Sequence, residues 1–133
     1  MKVTPTAHYP TLKGRVAIVT GGGQALGRAY ALHLAAQGAV PVIAEFNEAA
    51  GASVAKEIED GGGKALFVAT DVGSAPAIAA MAEAVLARFR RIDILINNAA
   101  LFSRITMKPF WELPVEEWER AMDVNITGAF HCA

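Results

Sequence analysis

The chain is 133 residues long and 53% hydrophobic, with 12 Lys and Arg against 13 Asp and Glu for a formal charge of −1. That length buries one respectable core, and the near-balanced charge leaves no basic footprint for nucleic acid. No apolar run approaches the roughly 18 residues of a membrane span, and residues 1–10 lack the charged start and apolar centre of a secretory signal, so the cytoplasm is the expected compartment.

Residues 1–11 read as a loose polar lead-in, and a single domain is expected over 12–133, where strand and helix patterns alternate without linker or repeat. The apolar run Val16-Ala17-Ile18-Val19 reads as a buried strand. It breaks into Thr20-Gly21-Gly22-Gly23-Gln24-Ala25-Leu26-Gly27 and then into a helix-like stretch over 28–36. A second run, Val40-Pro41-Val42-Ile43-Ala44, ends in Glu45. The helix expected next spans 48–59, with Val54 and Ile58 inward and Gly61-Gly62-Gly63 ending it.

Ala65-Leu66-Phe67-Val68-Ala69-Thr70 then leads to Asp71, and a third helix has Ser74 as its cap and Pro76 in its first turn. Its stripe of Ile78, Met81, Ala82, Val85, Leu86 and Phe89 is a core face, and Arg88, Arg90 and Arg91 read as its solvated end. A fourth strand, Ile92-Asp93-Ile94-Leu95-Ile96, precedes Asn97-Asn98-Ala99-Ala100. The last helical pattern carries Val115, Trp118, Met122 and Ile126 on one stripe, with Glu116 and Glu117 suiting its first turn; packing explains Trp111 and Trp118 better than base stacking. The expected class is α/β, a Rossmann-like doubly wound parallel sheet truncated after the fourth strand and following helix. In the strand order 3-2-1-4-5-6, the fourth strand then becomes an exposed edge.

A strand that breaks into glycines and opens a helix leaves unpaired N–H groups and a positive dipole end at one spot, which suits a pyrophosphate. Thr20, Gly21, Gly23, Gln24, Leu26 and Gly27 are therefore candidate cofactor contacts. About 20 residues on, Glu45 is placed to accept hydrogen bonds from an adenosine ribose. Asp71 ends its strand at the ligand edge of the sheet, facing an adenine amino group or else capping the next helix. The amides of Asn97 and Asn98, with Ala99 and Ala100, tie loop backbones together beside the cofactor or form a simple turn. His8, His33 and His131 have no ligand partners at metal spacing, so no metal is expected, and Cys132 has no disulfide partner.

Over 12–133 these residues resemble the short-chain dehydrogenase/reductases: the TGxxxGxG-like 20–27, the acid Glu45, the pair Asp71-Val72, the NNAG-like 97–100, and Asn125 in Val124-Asn125-Ile126-Thr127-Gly128. Ala25 replaces the middle glycine of the first motif and Ala100 the glycine of the second. The resemblance implies NAD-dependent hydride transfer between nicotinamide and an alcohol or ketone, in a homo-oligomer of about twice this length. It also implies a tetrad of Asn, Ser, Tyr and Lys, of which Asn125 alone is present.

Tyr9-Pro10-Thr11-Leu12-Lys13 matches YxxxK formally, but it precedes the first strand and its proline disrupts helical spacing; Tyr30 has Leu34, not lysine, four residues on. The chain is thus expected to be the dinucleotide-binding half of such an enzyme, inactive alone. The alternatives are a noncatalytic dinucleotide-binding subunit or sensor and, further off, a Rossmann methyltransferase. Glu45 opposes a 2′-phosphate, and neither Gln24 nor Phe46 supplies a neutralising arginine, so NAD is expected over NADP.

Overall fold

The computed structural model describes residues 5–102 and 107–133. Residues 1–4 of the lead-in lie outside them. Strands β1 (Val16–Thr20), β2 (Val40–Glu45), β3 (Leu66–Ala69) and β4 (Ile94–Ile96) form one parallel sheet in the order β3-β2-β1-β4. Helices α1 (Ala25–Ala36), α2 (Glu48–Asp60) and α3 (Ala75–Phe89) connect them. After β4 come α4 (Val115–Met122), a π-helical turn (Asp123–Thr127) and α5 (Gly128–Cys132) in one continuous helical run.

The side-chain alternation of the strands feeds two cores. Val16, Ile18, Val40, Val42 and Ala44 pack on Ile78, Met81 and Val85 of α3 and on Val124 of the π turn. On the opposite face Ile43 meets Ala31 and Leu32 of α1 and Val54, Ala55 and Ile58 of α2, with Phe67 against them. Every residue of β1 and β2 is buried, as continuous apolar runs in a doubly covered sheet require. α2 ends at Asp60, one residue past the expected stop, and Ser74 caps α3 as expected.

Three expectations fail. β4 pairs over 94–96 alone, and Ile92 is exposed, because this edge strand has β1 as its single neighbour. Leu86 lies outside the buried stripe of α3. α4 has no buried residue: Val115, Trp118 and Met122 face solvent, as do Ile126 of the π turn and Trp111, so neither tryptophan enters the core, and among the described residues Trp111 packs only edge-to-face on the equally exposed Phe110, ring centroids 5.4 Å apart. The lead-in is pinned in part, since the Gln37 amide donates to Ala7 O at 2.7 Å and accepts from the Tyr9 N–H at 2.9 Å.

At the amino ends of β1 and β4, Asp93 accepts from the Val16 N–H at 2.9 Å, from Arg15 Nη1 at 2.9 Å and from Arg91 Nε at 2.7 Å. The Arg91 guanidinium first, then the Val16 N–H and Arg15, hold the Asp93 carboxyl well below the usual carboxylate range. A depressed folded-state pKa contributes stability that is full above the unfolded value and is lost as pH falls toward the folded one. Melting temperature should therefore drop on acidification below about pH 4 more steeply in the wild type than in Asp93→Asn, which should melt lower at pH 7. Parallel melting curves for the two proteins across that window would contradict this role.

Candidate functional site

The glycine loop between β1 and α1 is shaped by three close approaches. Gly21 has φ +64°, and a Cβ there would lie 2.9 Å from Ala99 Cα. A Cβ on Gly27 would fall 2.0 Å from Gly21 O and 2.7 Å from Asn98 Nδ2, so α1 starts against the strand end with no space for a methyl group. Gly23 abuts Glu45, whose Cγ would be 2.8 Å from an added Cβ.

The N-terminus of α1 is bare where the other sheet-connecting helices are capped. Gln24, its N-cap residue, makes no side-chain cap bond, and the first turn holds no acid. By contrast, Asn47 accepts from the Ala50 N–H of α2, and Ser74 from the Ala77 N–H of α3. The open donors and positive dipole end of α1 thus sit at the carboxyl end of β1, at the switch point where β2 and β4 leave in opposite directions.

Thr20 and Asn98 clasp this loop to the one after β4. The Thr20 hydroxyl accepts from the Asn98 N–H at 3.0 Å and the Ala99 N–H at 3.1 Å, and donates to Ile96 O at 3.3 Å. Asn98 Nδ2 donates to Thr20 O at 3.0 Å and Gly21 O at 3.1 Å. These bonds occupy the Asn98 amide in loop-building, the tying role anticipated for this pair. Asn97 Nδ2 reaches Ala129 O of α5 at 3.2 Å.

Glu45 is 8% exposed. Its Oε2 accepts from the Gly23 N–H and its Oε1 from the Asn47 N–H, both at 3.0 Å. A carboxylate offers about four acceptor sites, so one stays open on each oxygen. This strap onto the glycine loop was not foreseen in the sequence, where Glu45 figured as a ribose acceptor and as the acid opposing a 2′-phosphate. The cation nearest in sequence to the loop, Arg28, is committed to Glu57 of α2 through bonds of 3.0 and 2.6 Å.

Asp71 is not the cap of α3, which is Ser74. Its Oδ1 accepts from the Gly73 N–H at 2.9 Å, and both oxygens accept from Arg120 Nη2 at 2.8 Å. Val72 is buried, its carbonyl against Gly128, where an added Cβ would come within 2.4 Å. Arg120 and Gly73 escaped the sequence reading, since nothing local in it pairs α4 with a loop 49 positions away.

Asn125 lies in the π turn, a feature frequent at functional sites. Its Oδ1 accepts from the Leu101 N–H at 2.7 Å, and its Nδ2 donates to Leu101 O at 3.3 Å. A small cleft bounded by Thr20, Val72, Asn97, Ala99, Asn125 and Gly128 brings together the end of β1, the loops after β3 and β4, and the helical run at the π turn. Gln24 and Leu26, at the start of α1, and Ala100, on the loop after β4, are exposed and do not line this cleft. Among the described residues no three His, Cys, Asp or Glu side chains group as a metal site, and no helix is long and apolar enough to cross a membrane.

The family model for short chain dehydrogenases matches residues 15–133. This chain belongs to that family. It is 40% identical over 122 residues to an uncharacterized oxidoreductase of Thermotoga maritima, covering 92% of this chain and 46% of that protein. The short-chain dehydrogenase fold seen here superposes with a TM-score of 0.83 on the 3-ketoacyl-(acyl-carrier-protein) reductase of Brucella melitensis complexed with NADH, at 35% identity over 91% of this chain and 48% of that one. A metagenomic short-chain oxidoreductase in complex with NADP gives 0.86, at 34% identity over 92% and 54%. The chain spans about half the length of the curated relatives it matches.

Ala25, at the place of the family's middle glycine, has φ +45°. Its methyl group therefore strains the backbone, apart from any crowding of a ligand. Ala25→Gly should stabilise the fold by about 1 kcal/mol, raising the melting temperature by roughly 4 °C. Gly27→Ala should destabilise it by on the order of 3 kcal/mol, because its neighbour is main chain and cannot step aside. Differential scanning calorimetry checks both; an Ala25→Gly protein that melts no higher than wild type would contradict the strain.

Proposed function

We propose that this chain binds NAD across the carboxyl ends of β1, β2 and β4, as the dinucleotide-binding half of an oxidoreductase acting on an alcohol or ketone. The observation that carries the reading is Glu45: buried beside the bare start of α1, strapped to Gly23, and left with one acceptor site on each oxygen. Two acceptor sites on one carboxylate suit the vicinal hydroxyls of an adenosine ribose. The donors at the start of α1 take the diphosphate. Gly21, Gly23 and Gly27 let the loop pack against Ala99, Glu45 and its own carbonyl, and the uncapped start of α1 supplies the donor set that fits this group.

Glu45 also sets the choice of dinucleotide. A 2′-phosphate would place two like charges together at a site of low exposure, and Arg28 is held by Glu57 rather than free to compensate. Solved relatives carry NADH in one case and NADP in another, so the choice rests on this chain's own acid.

The nicotinamide, when bound, donates or accepts the hydride. Asn125 lines the cleft, held by the Leu101 backbone, and takes the accessory role that the family resemblance implies for it. No residue of the 133 supplies the tyrosine acid/base. Tyr9 is tied to Gln37 at the opposite end of α1, about 18 Å of helix from the glycine loop. The chain by itself therefore binds dinucleotide without turnover, and the substrate is met by other parts of a longer enzyme.

Isothermal titration should show NAD binding more tightly than NADP by about tenfold or more, and Glu45→Ala with Phe46→Arg should move the preference toward NADP. A wild-type protein that favours NADP would sink the cofactor assignment. Reduction of NAD by the 133-residue protein with simple alcohols at an enzymatic rate would contradict its expected lack of turnover.

A further inference from the structure

The strongest unassigned cluster is the contact between α4 and the loop after β3. Asp71 accepts from Arg120 through both oxygens and from the Gly73 N–H through Oδ1. Three of its roughly four acceptor sites are thereby filled, leaving one, on Oδ2. The Arg120 guanidinium lies directly over Gly73, where an added Cβ would fall 2.2 Å from Nη1. Gly73 does not have a positive φ, so its glycine serves space rather than backbone freedom. Arg120, in turn, extends from a helix with no buried residue of its own, so this ion pair is a principal tie between α4 and the sheet.

We infer that Arg120 is a positioning residue for base recognition. By fixing the Asp71 carboxylate through two oxygens, it presents a single remaining acceptor to the exocyclic amino group of adenine. The inference rests on the dinucleotide reading above and adds the residue that gives Asp71 its selectivity for that base. Charge-assisted bonds hold a carboxylate in one rotation better than neutral ones, and Arg does so with geometric definition that a lysine ammonium lacks. Without Arg120, Asp71 is held by the Gly73 N–H alone, through Oδ1, and its other oxygen no longer has one defined acceptor direction.

The test compares NAD with nicotinamide hypoxanthine dinucleotide, in which a carbonyl replaces the adenine amino group, by calorimetric titration. Wild type should prefer NAD by about tenfold, the worth of one hydrogen bond made against one left unmade. Arg120→Met should bring that ratio close to one, while Arg120→Lys should retain part of it. A purely structural role would weaken both dinucleotides by the same factor, so the ratio, rather than affinity, is the readout. Gly73→Ala, which pushes the guanidinium aside while keeping Arg120 and Asp71, should lower the ratio too and serves if Arg120→Met fails to fold.

An unchanged ratio in the folded variants, an equal loss for both ligands, or a wild type indifferent to the base would each overturn the inference. In all three results NAD still binds, so the dinucleotide reading survives. A wild type that binds neither dinucleotide would instead remove that reading, and this inference with it.

Discussion

The site depends on one contact, the clasp between Thr20 and Asn98 across the seam of β1 and β4. Parallel strands leave their carboxyl ends as separate loops, and on this seam the sheet order reverses. Nothing in a strand ladder fixes how two such loops face each other. Here the Thr20 hydroxyl collects two N–H groups from the β4 loop while the Asn98 amide collects two carbonyls from the β1 loop. With those polar groups paired between the loops, the bare start of α1 is held in place beside the cleft. At the other end of the same seam, Asp93 binds the first N–H of β1, so both ends of a short edge strand are pinned by side chains.

The helical run over 115–132 is attached differently. α4 buries no side chain, and the polar ties along the run include Arg120 to Asp71, Asn125 to the Leu101 backbone, and Ala129 O to Asn97. Packing adds to these ties: Val124 of the π turn enters the core, Gly73 makes room for a guanidinium, and Gly128 for the Val72 carbonyl. Each of these three polar ties lands on a loop at the carboxyl edge of the sheet. The helix therefore aligns with the loops that form the site, and the asparagine of the π turn comes to rest at the cleft.

The parts legible in the sequence were those whose cause is local. Continuous apolar runs marked β1 and β2, glycines marked the loop between β1 and α1, and Ser74 marked the start of α3, because each pattern acts on its own neighbours. The stripe of Val115, Trp118, Met122 and Ile126 misled, since periodicity shows that a helix has an apolar face but not what covers it. Asp71 and Glu45 were found as acids at strand ends, yet their partners were not: Arg120 and the Gly23 N–H are brought near by the fold, and a sequence carries no mark of which long-range donor a carboxylate will meet. Ala25 was legible as a departure from a motif, while its positive φ required the backbone.

The most direct measurement is an amide nuclear magnetic resonance titration of the ¹⁵N-labelled chain with NAD. The account predicts that the largest shift changes fall on residues 21–27, on Glu45, and on 97–100 across the seam, with the β1 and β4 amino ends around Asp93 undisturbed. Shift changes centred on any other surface, or a spectrum unchanged at millimolar NAD, would contradict it.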